Sequence, residues 1–309
     1  MNNLSEPYDL KELFDKYNCK PESFVNIQIG CNNRIYILLN ENIPPRIDGC
    51  FVPTKSDSNY SVIAFTVDWD NECVTGDEYY DLGKHEMNYH FIQPFGEQFL
   101  LVGSRCECDD NDIGEKNAAI MGRNGNIIRQ FCFGDGIEDC IVRSDNSIIT
   151  SYFDEGIFGN YGWGNPIGSS GLIVWSSDGK IAWENKRSIY DCYAINIDEN
   201  ENLWYYYYDK FELIRTDLKS EMSYLPGISG ADRFAISADG RSAVFDGGYN
   251  KHGKLFAIKL ETSKTAEPVE FPLEYRGESI SVKIFGSLKS QAVFIDGRDR
   301  LFVKRFLNL

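Results

Sequence analysis

Asn26, His90, Asp139, Asp191 and Asp232, with Lys283 as a sixth, hold equivalent places in a recurring pattern: each stands about nine to twelve residues before the start of an apolar run. Those runs open at Ile35, Phe99, Ile148, Leu203, Ser242 and Ala292. An amide, an imidazole and three carboxylates are groups with which a hard cation such as calcium is held or a proton is moved. Three aspartates gathered in one place would repel one another, raising the pKa of at least one or recruiting a cation. The same position suits a turn residue whose carboxylate accepts backbone N–H bonds, and the spacing leaves both readings open.

Other motifs are weaker. His85-Glu-Met-Asn-Tyr-His90 has the composition of a zinc-protease helix, but its histidines are five apart and do not share the helical face that a spacing of four provides. With three histidines in the chain, His-based nucleophile activation has little material. Cys106 and Cys108 beside Asp109, Asp110 and Asp112 could bind a soft metal, yet no second Cys pair lies nearby, and the segment reads as a solvated acidic loop. Asp198, Asn200 and Asn202 alternate as in a calcium loop, but Leu203 stands where that loop needs glycine and the tyrosines after it read as strand. Gly134-Asp-Gly136 lacks the third glycine of a dinucleotide fold, and Gly168-Ser-Ser-Gly171 is one residue short of a serine-hydrolase elbow. Common nucleotide and hydrolase chemistry has no anchor in these motifs.

The elements that position these residues repeat. An apolar strand, a Gly/Asn/Asp turn and a second apolar strand recur about every 51 residues, close to the roughly 40–50 of a four-stranded propeller blade. The expected fold is all-β: a six-bladed β-propeller with a short N-terminal helix. Blade three is the most complete, with strands at Ile137–Arg143, Ser147–Phe153, Gly171–Ser176 and Lys180–Glu184. The one segment that reads as helix is Asp9–Tyr17, where Asp9 and Glu12 form a capping box and Leu10, Leu13, Phe14 and Tyr17 share a face. Residues 1–22 are expected to be a helical cap and 23–309 a single propeller domain. The last blade lacks a fourth strand after Leu301–Leu309, which the N-terminal region could supply. In such a fold Asn26, His90, Asp139, Asp191 and Asp232 would surround one mouth of the central channel.

Two insertions interrupt the pattern, Arg105–Lys116 and Asp154–Ser170, and long loops on rigid scaffolds are where binding residues concentrate. The second is glycine-rich, which predicts display of Phe158, Tyr161 and Trp163 at the surface beside Asp154 and Glu155.

With 42% apolar and 14% aromatic residues the chain can bury a sizeable core. Its 47 acidic and 31 basic residues leave a net charge of −16, which repels phosphate backbones and anionic membranes and favours a basic partner. The N-terminus lacks the basic start and the roughly 7–15-residue apolar run of a signal peptide, so a cytoplasmic protein is expected. Nine cysteines without regular spacing point to reduced thiols rather than a disulfide framework, with Cys132, Cys140 and Cys192 as small core residues.

Gly134-Asp-Gly-Ile-Glu-Asp139, the run Ser151 to Trp163, Gly171-Leu-Ile-Val-Trp175 and Asp191-Cys-Tyr-Ala-Ile-Asn196 together resemble a group of bacterial propeller-like proteins of uncharacterised function. The resemblance covers about a quarter of the chain; it implies a cytosolic bacterial protein and carries no activity with it. WD-repeat and kelch patterns do not recur. Ser176-Ser-Asp-Gly-Lys-Ile-Ala-Trp183 is similar to a shortened blade motif of quinoprotein dehydrogenases or sialidases, and supports a blade without a cofactor.

The expected function is non-enzymatic: a monomeric propeller without a cofactor that binds a basic protein through Asp154, Glu155, Phe158, Tyr161 and Trp163, for instance an immunity protein masking a bacterial toxin. Neither nucleic acid nor a membrane is an expected partner. The alternative is a calcium-dependent lactonase or other hydrolase with Asn26, His90, Asp139, Asp191 and Asp232 at the channel mouth.

Overall fold

The computed structural model describes residues 3–262 and 264–308. Strand β1 (Tyr8–Asp9) and helix α1 (Leu10–Lys16) open the chain. The first sheet holds β2 (Phe24–Ile29), β3 (Ile35–Asn40), β4 (Lys55–Asp68) and β5 (Cys73–Met87). The second holds β6 (Phe91–Phe95), β7 (Gln98–Val102), β8 (Ala118–Met121) and β9 (Ile127–Phe131). The third comprises β10 (Ile137–Val142), β11 (Ile148–Tyr152), β12 (Leu172–Trp175) and β13 (Ile181–Glu184), with α2 (Asp154–Phe158) between β11 and β12. The fourth follows as β14 (Asp191–Ile197), β15 (Leu203–Tyr208), β16 (Glu212–Thr216) and β17 (Glu221–Tyr224). The fifth is β18 (Phe234–Ile236), β19 (Ser242–Asp246), β20 (Leu255–Lys259) and β21 (Val269–Glu270). A hairpin of β22 (Leu273–Tyr275) and β23 (Glu278–Ile280) precedes the sixth sheet, in which β24 (Val282–Leu288), β25 (Gln291–Asp296) and β26 (Arg300–Arg305) are joined by β1. These are the six blades of a β-propeller, and all six repeat markers fall in the first two residues of a blade's second strand.

The chain divides into two compact units: 14–65 with 77–191, and 1–13 with 66–76 and 192–309. In the first, the faces of two sheets bury Tyr36, Leu38, Val62, Leu82, Ile92, Phe99 and Leu101 in one cluster. In the second, Trp204, Tyr206, Phe234, Phe245 and Phe256 form one cluster and Ile284, Phe294 and Phe302 anchor another. A strand covered on both faces needs no polar alternation, which is why β3, β11 and β19 read as near-continuous apolar runs and are buried throughout. The outermost strands are exposed: the first four residues of β9, and both residues of β21.

Buried amides in the first strands tie different blades together. In the first unit Gln28 accepts from the Ile92 N–H at 2.9 Å and donates to the Cys140 carbonyl at 3.0 Å, while Gln93 accepts from the Val142 N–H at 3.3 Å. In the second, Asn196 donates to the Phe234 carbonyl at 2.8 Å and accepts from the Lys289 N–H at 2.7 Å. Each would otherwise be an expensive polar group in an apolar interior.

The missing strand of the last blade is β1, with Tyr8 opposite Leu301 and Asp9 opposite Arg300. The Asp9 carboxylate accepts from the Lys11 and Glu12 N–H groups at 2.8 and 3.1 Å, capping α1 as expected. In the same unit the turn at 69–72 is tied to β26 by Lys304 to Glu72 at 3.2 Å and Arg305 to Asp70 at 2.8 Å.

The expectation of a single helical segment is corrected by α2. The Phe153 carbonyl accepts from the Gly156 and Ile157 N–H groups, and Gly159 at φ +99° ends the turn. Glycine is required at 156 because a Cβ there would lie 2.4 Å from the Asp135 carbonyl oxygen.

Candidate functional site

Three loops of the first unit converge on Tyr161. Its ring lies 4.2 Å from the Arg105 guanidinium and meets Phe51 edge-on at 6.1 Å; its hydroxyl donates to the Val52 carbonyl at 2.7 Å, and its carbonyl accepts from the Cys108 N–H at 2.9 Å. Segments 41–54, 105–116 and 154–170 thereby form one surface. A groove of about 460 Å3 runs between Ile47, Phe51, Pro53, Lys55, Glu107 and Tyr161.

Arg105 is buried beneath this surface. It bonds Asp135 at 2.8 Å and Glu155 at 2.5 Å, with Asp135 wholly buried and Glu155 partly exposed. Burial pushes the Asp135 carboxyl up to about 6, with Arg105 opposing. Burial also raises Glu155, but hydrogen bonds from Asn160 and Arg105 more than offset it and its pKa is lowered.

Of the three aromatics expected at the surface, Phe158 is there, 66% exposed. Tyr161 and Trp163 are half-buried, which corrects the expectation of display. Trp163 donates its indole N–H to the Cys106 carbonyl at 2.7 Å, and its ring sits against Gly114. The glycines allow close approach as much as display: a Cβ on Gly162 would lie 2.3 Å from the Cys108 carbonyl oxygen. Sequence reasoning missed four further apolar side chains exposed on this unit, Ile43, Ile47, Phe51 and Ile113. Glu107, Asp109, Asp110, Asp112 and Asp154 are exposed on the same unit. Cys106, expected in a solvated loop, is fully buried because its N–H bonds Asp135 and its thiol faces the Glu115 carbonyl.

The residues at the starts of the first strands make local bonds within their own unit. Asn26 donates to the His90 carbonyl at 3.1 Å; His90 Nδ1 accepts from the Ser104 N–H, and burial lowers its pKa to about 4, leaving it neutral. Asp139 accepts from Gln28 and from the Cys140 N–H, at 3.0 and 2.8 Å. Asp191 is raised to about 7 by burial and then by the Asp154 charge, so a first-strand residue and a loop residue feel each other; beside them Tyr190 meets Phe158 at 5.9 Å.

In the second unit Asp232 bonds Lys283 at 2.9 Å and its backbone N–H reaches Asp246. The two carboxyls are pushed in opposite directions: burial and then Asp232 raise Asp246 to about 8, while hydrogen bonds from Asp246 and Lys283 outweigh burial and bring Asp232 to about 2. Among the described residues, no group of three or more His, Cys, Asp and Glu side chains is placed to hold a metal ion. Asp198, the false calcium motif, accepts from Asn200, Asn202, Trp204 and Arg215 and closes a hairpin.

Among solved structures the chain is similar to one from the mitotic checkpoint complex, at 8% identity and a TM-score of 0.51 over 94% of this chain and 91% of that one. It is also similar to virginiamycin B lyase from Staphylococcus aureus, at 11% identity and a TM-score of 0.49 over 91% and 94% of the two chains. A gluconolactonase from Xanthomonas campestris matches at 7% identity and a TM-score of 0.46 over 88% and 90%. At such identities the likeness is one of fold. No family model matches the chain, and no curated protein does. Among the described residues no helix is long and apolar enough to cross a membrane.

Proposed function

We propose that the protein is a non-enzymatic binding propeller whose partner is a basic protein, held on the surface that Tyr161 assembles from three loops. The observation that carries this reading is the exposure of Phe158, Ile113, Phe51 and Ile47 on the three segments joined at Tyr161, which also expose acidic side chains. Apolar anchors with a charged surround supply affinity and steering to an oppositely charged partner. A basic enzyme acting on nucleic acid, masked by an immunity protein in the cytoplasm, is the specific partner class this chemistry fits.

Affinity capture from native lysate tests it, with the full chain beside Phe158→Ala and Asp110→Lys. The expected result is one basic protein retained by the wild type, released between about 50 and 300 mM salt, and bound at least tenfold more weakly by each variant when re-measured pure. Equal retention by all three chains would sink the reading.

A hydrolytic reading has one observation in its favour, the opposite shifts of Asp232 and Asp246 beside Lys283. A carboxyl pair held at different pKa values can act as acid and base. Turnover of a lactone or ester abolished by Asp246→Asn, or a raised melting temperature with added calcium, would support it.

A further inference from the structure

Cys106 and Cys132 lie in different strand connections of the first unit, 26 residues apart, and their sulfurs approach to 3.9 Å. Both thiols are free. We propose that this pair is a redox-modification site, at which a hydroperoxide oxidises Cys132 and Cys106 closes the product to a reversible disulfide. The proposal is independent of the identity of any partner.

The two cysteines have different surroundings suited to the two roles. Cys106 is fully buried, its thiol directed at the Glu115 carbonyl at 3.3 Å and at Cys132. Cys132 is half-buried, the more exposed of the two and so the first to meet an oxidant from solvent. The sulfur–sulfur contact holds the Cys132 thiol below its usual range, with the Gly134 N–H helping and burial opposing, while the same contact and burial push Cys106 up. The thiolate is the nucleophile, so Cys132 reacts first.

The chemistry balances. The Cys132 thiolate attacks one peroxide oxygen; the S–O bond forms, the O–O bond breaks, and hydroxide leaves, taking a proton from solvent to become water. Sulfur has lost two electrons and peroxide has gained them, giving sulfenic acid. Cys106 sulfur then attacks Cys132 sulfur; the S–S bond forms, the S–O bond breaks, and hydroxide leaves with the Cys106 proton as a second water. The sulfurs must close from 3.9 Å to about 2.05 Å. The neighbours that must give are the Trp163 ring, stacked on Gly114 beside Cys132, and the Cys106 carbonyl that accepts the indole N–H.

The test uses the full chain, reduced, then exposed to hydrogen peroxide, blocked with an alkylating agent and digested with trypsin. The two cysteines fall in peptides 106–116 and 130–143, which also carry Cys108 and Cys140, so fragmentation must locate the bond. The expected result is loss of two of the nine free thiols, a Cys106–Cys132 link, and full recovery with dithiothreitol. Cys106→Ser should leave Cys132 to proceed to sulfinic acid, and Cys132→Ser should leave Cys106 reduced. A link to Cys108 instead, or nine free thiols after peroxide on the wild-type chain, would overturn the proposal.

Discussion

Arg105 lies over the ring of Tyr161 at 4.2 Å, with its terminal nitrogens on Asp135 and Glu155, so one buried cation is shared between a core carboxylate and the loop surface above it. A guanidinium suits this place because its planar face stacks while its edge hydrogen-bonds.

Removing that cation leaves Asp135 buried without its counter-charge. Arg105→Met should destabilise the protein by about 3–5 kcal/mol, and adding Asp135→Asn should restore much of the loss. Urea unfolding of both single variants and the double variant measures the coupling.

Three aspartates with raised pKa values set an unusual pH dependence. Asp135, Asp191 and Asp246 move from 3.8 to about 6, 7 and 8. The folded state therefore binds their protons more tightly than the unfolded chain does. That stability is fully present below pH 3.8 and is lost as pH rises through 6 to 8. Asp232, lowered to about 2, acts in the opposite sense, and its contribution disappears only as pH falls through that value. The melting temperature should decline from pH 6 to 8.5, and Asp246→Asn should flatten the upper part of the decline. An unchanged slope in that variant would count against the raised Asp246 carboxyl.

Trp163 pins the 154–170 loop through a single N–H bond to Cys106. Trp163→Phe keeps most of the ring and loses the donor, which should cost about 1 kcal/mol and speed limited proteolysis within the loop. Phe158→Ala, at a side chain 66% exposed, should change stability by less than about 0.5 kcal/mol.

The N-terminal strand completes the sixth blade, and its last residue caps α1. Asp9→Ala should cost about 1 kcal/mol through the lost cap. Deleting residues 1–9 should cost more and promote association by leaving the β26 edge open; thermal melts and light scattering separate the two effects.

Much of the fold was legible because blade strands are local patterns. Ile35–Asn40 and Ile148–Tyr152 are apolar in sequence since both faces are covered, and the turns between strands announce themselves by Asp, Asn and Gly. Asp9 declared its cap three residues before Glu12 for the same reason. The amides that tie the blades together were in view but carried no signal, because Gln28, Gln93 and Asn196 look like ordinary polar interruptions until their partners in other blades are known.

What the sequence by itself determined was the repeat, the blade count, the acidic balance and two of the three loops of the candidate surface, 105–116 and 154–170 but not 41–54, all properties of residues near one another in the chain. Tertiary structure alone decided that Tyr161 reaches Val52 across 109 positions, that the Asp232 N–H meets the Asp246 carboxylate, and that Cys106 meets Cys132. Burial and partner distance set these, and both depend on how segments pack in three dimensions, within one blade for Asp232 and Asp246 and between blades for Tyr161 and Val52, rather than on residue type alone.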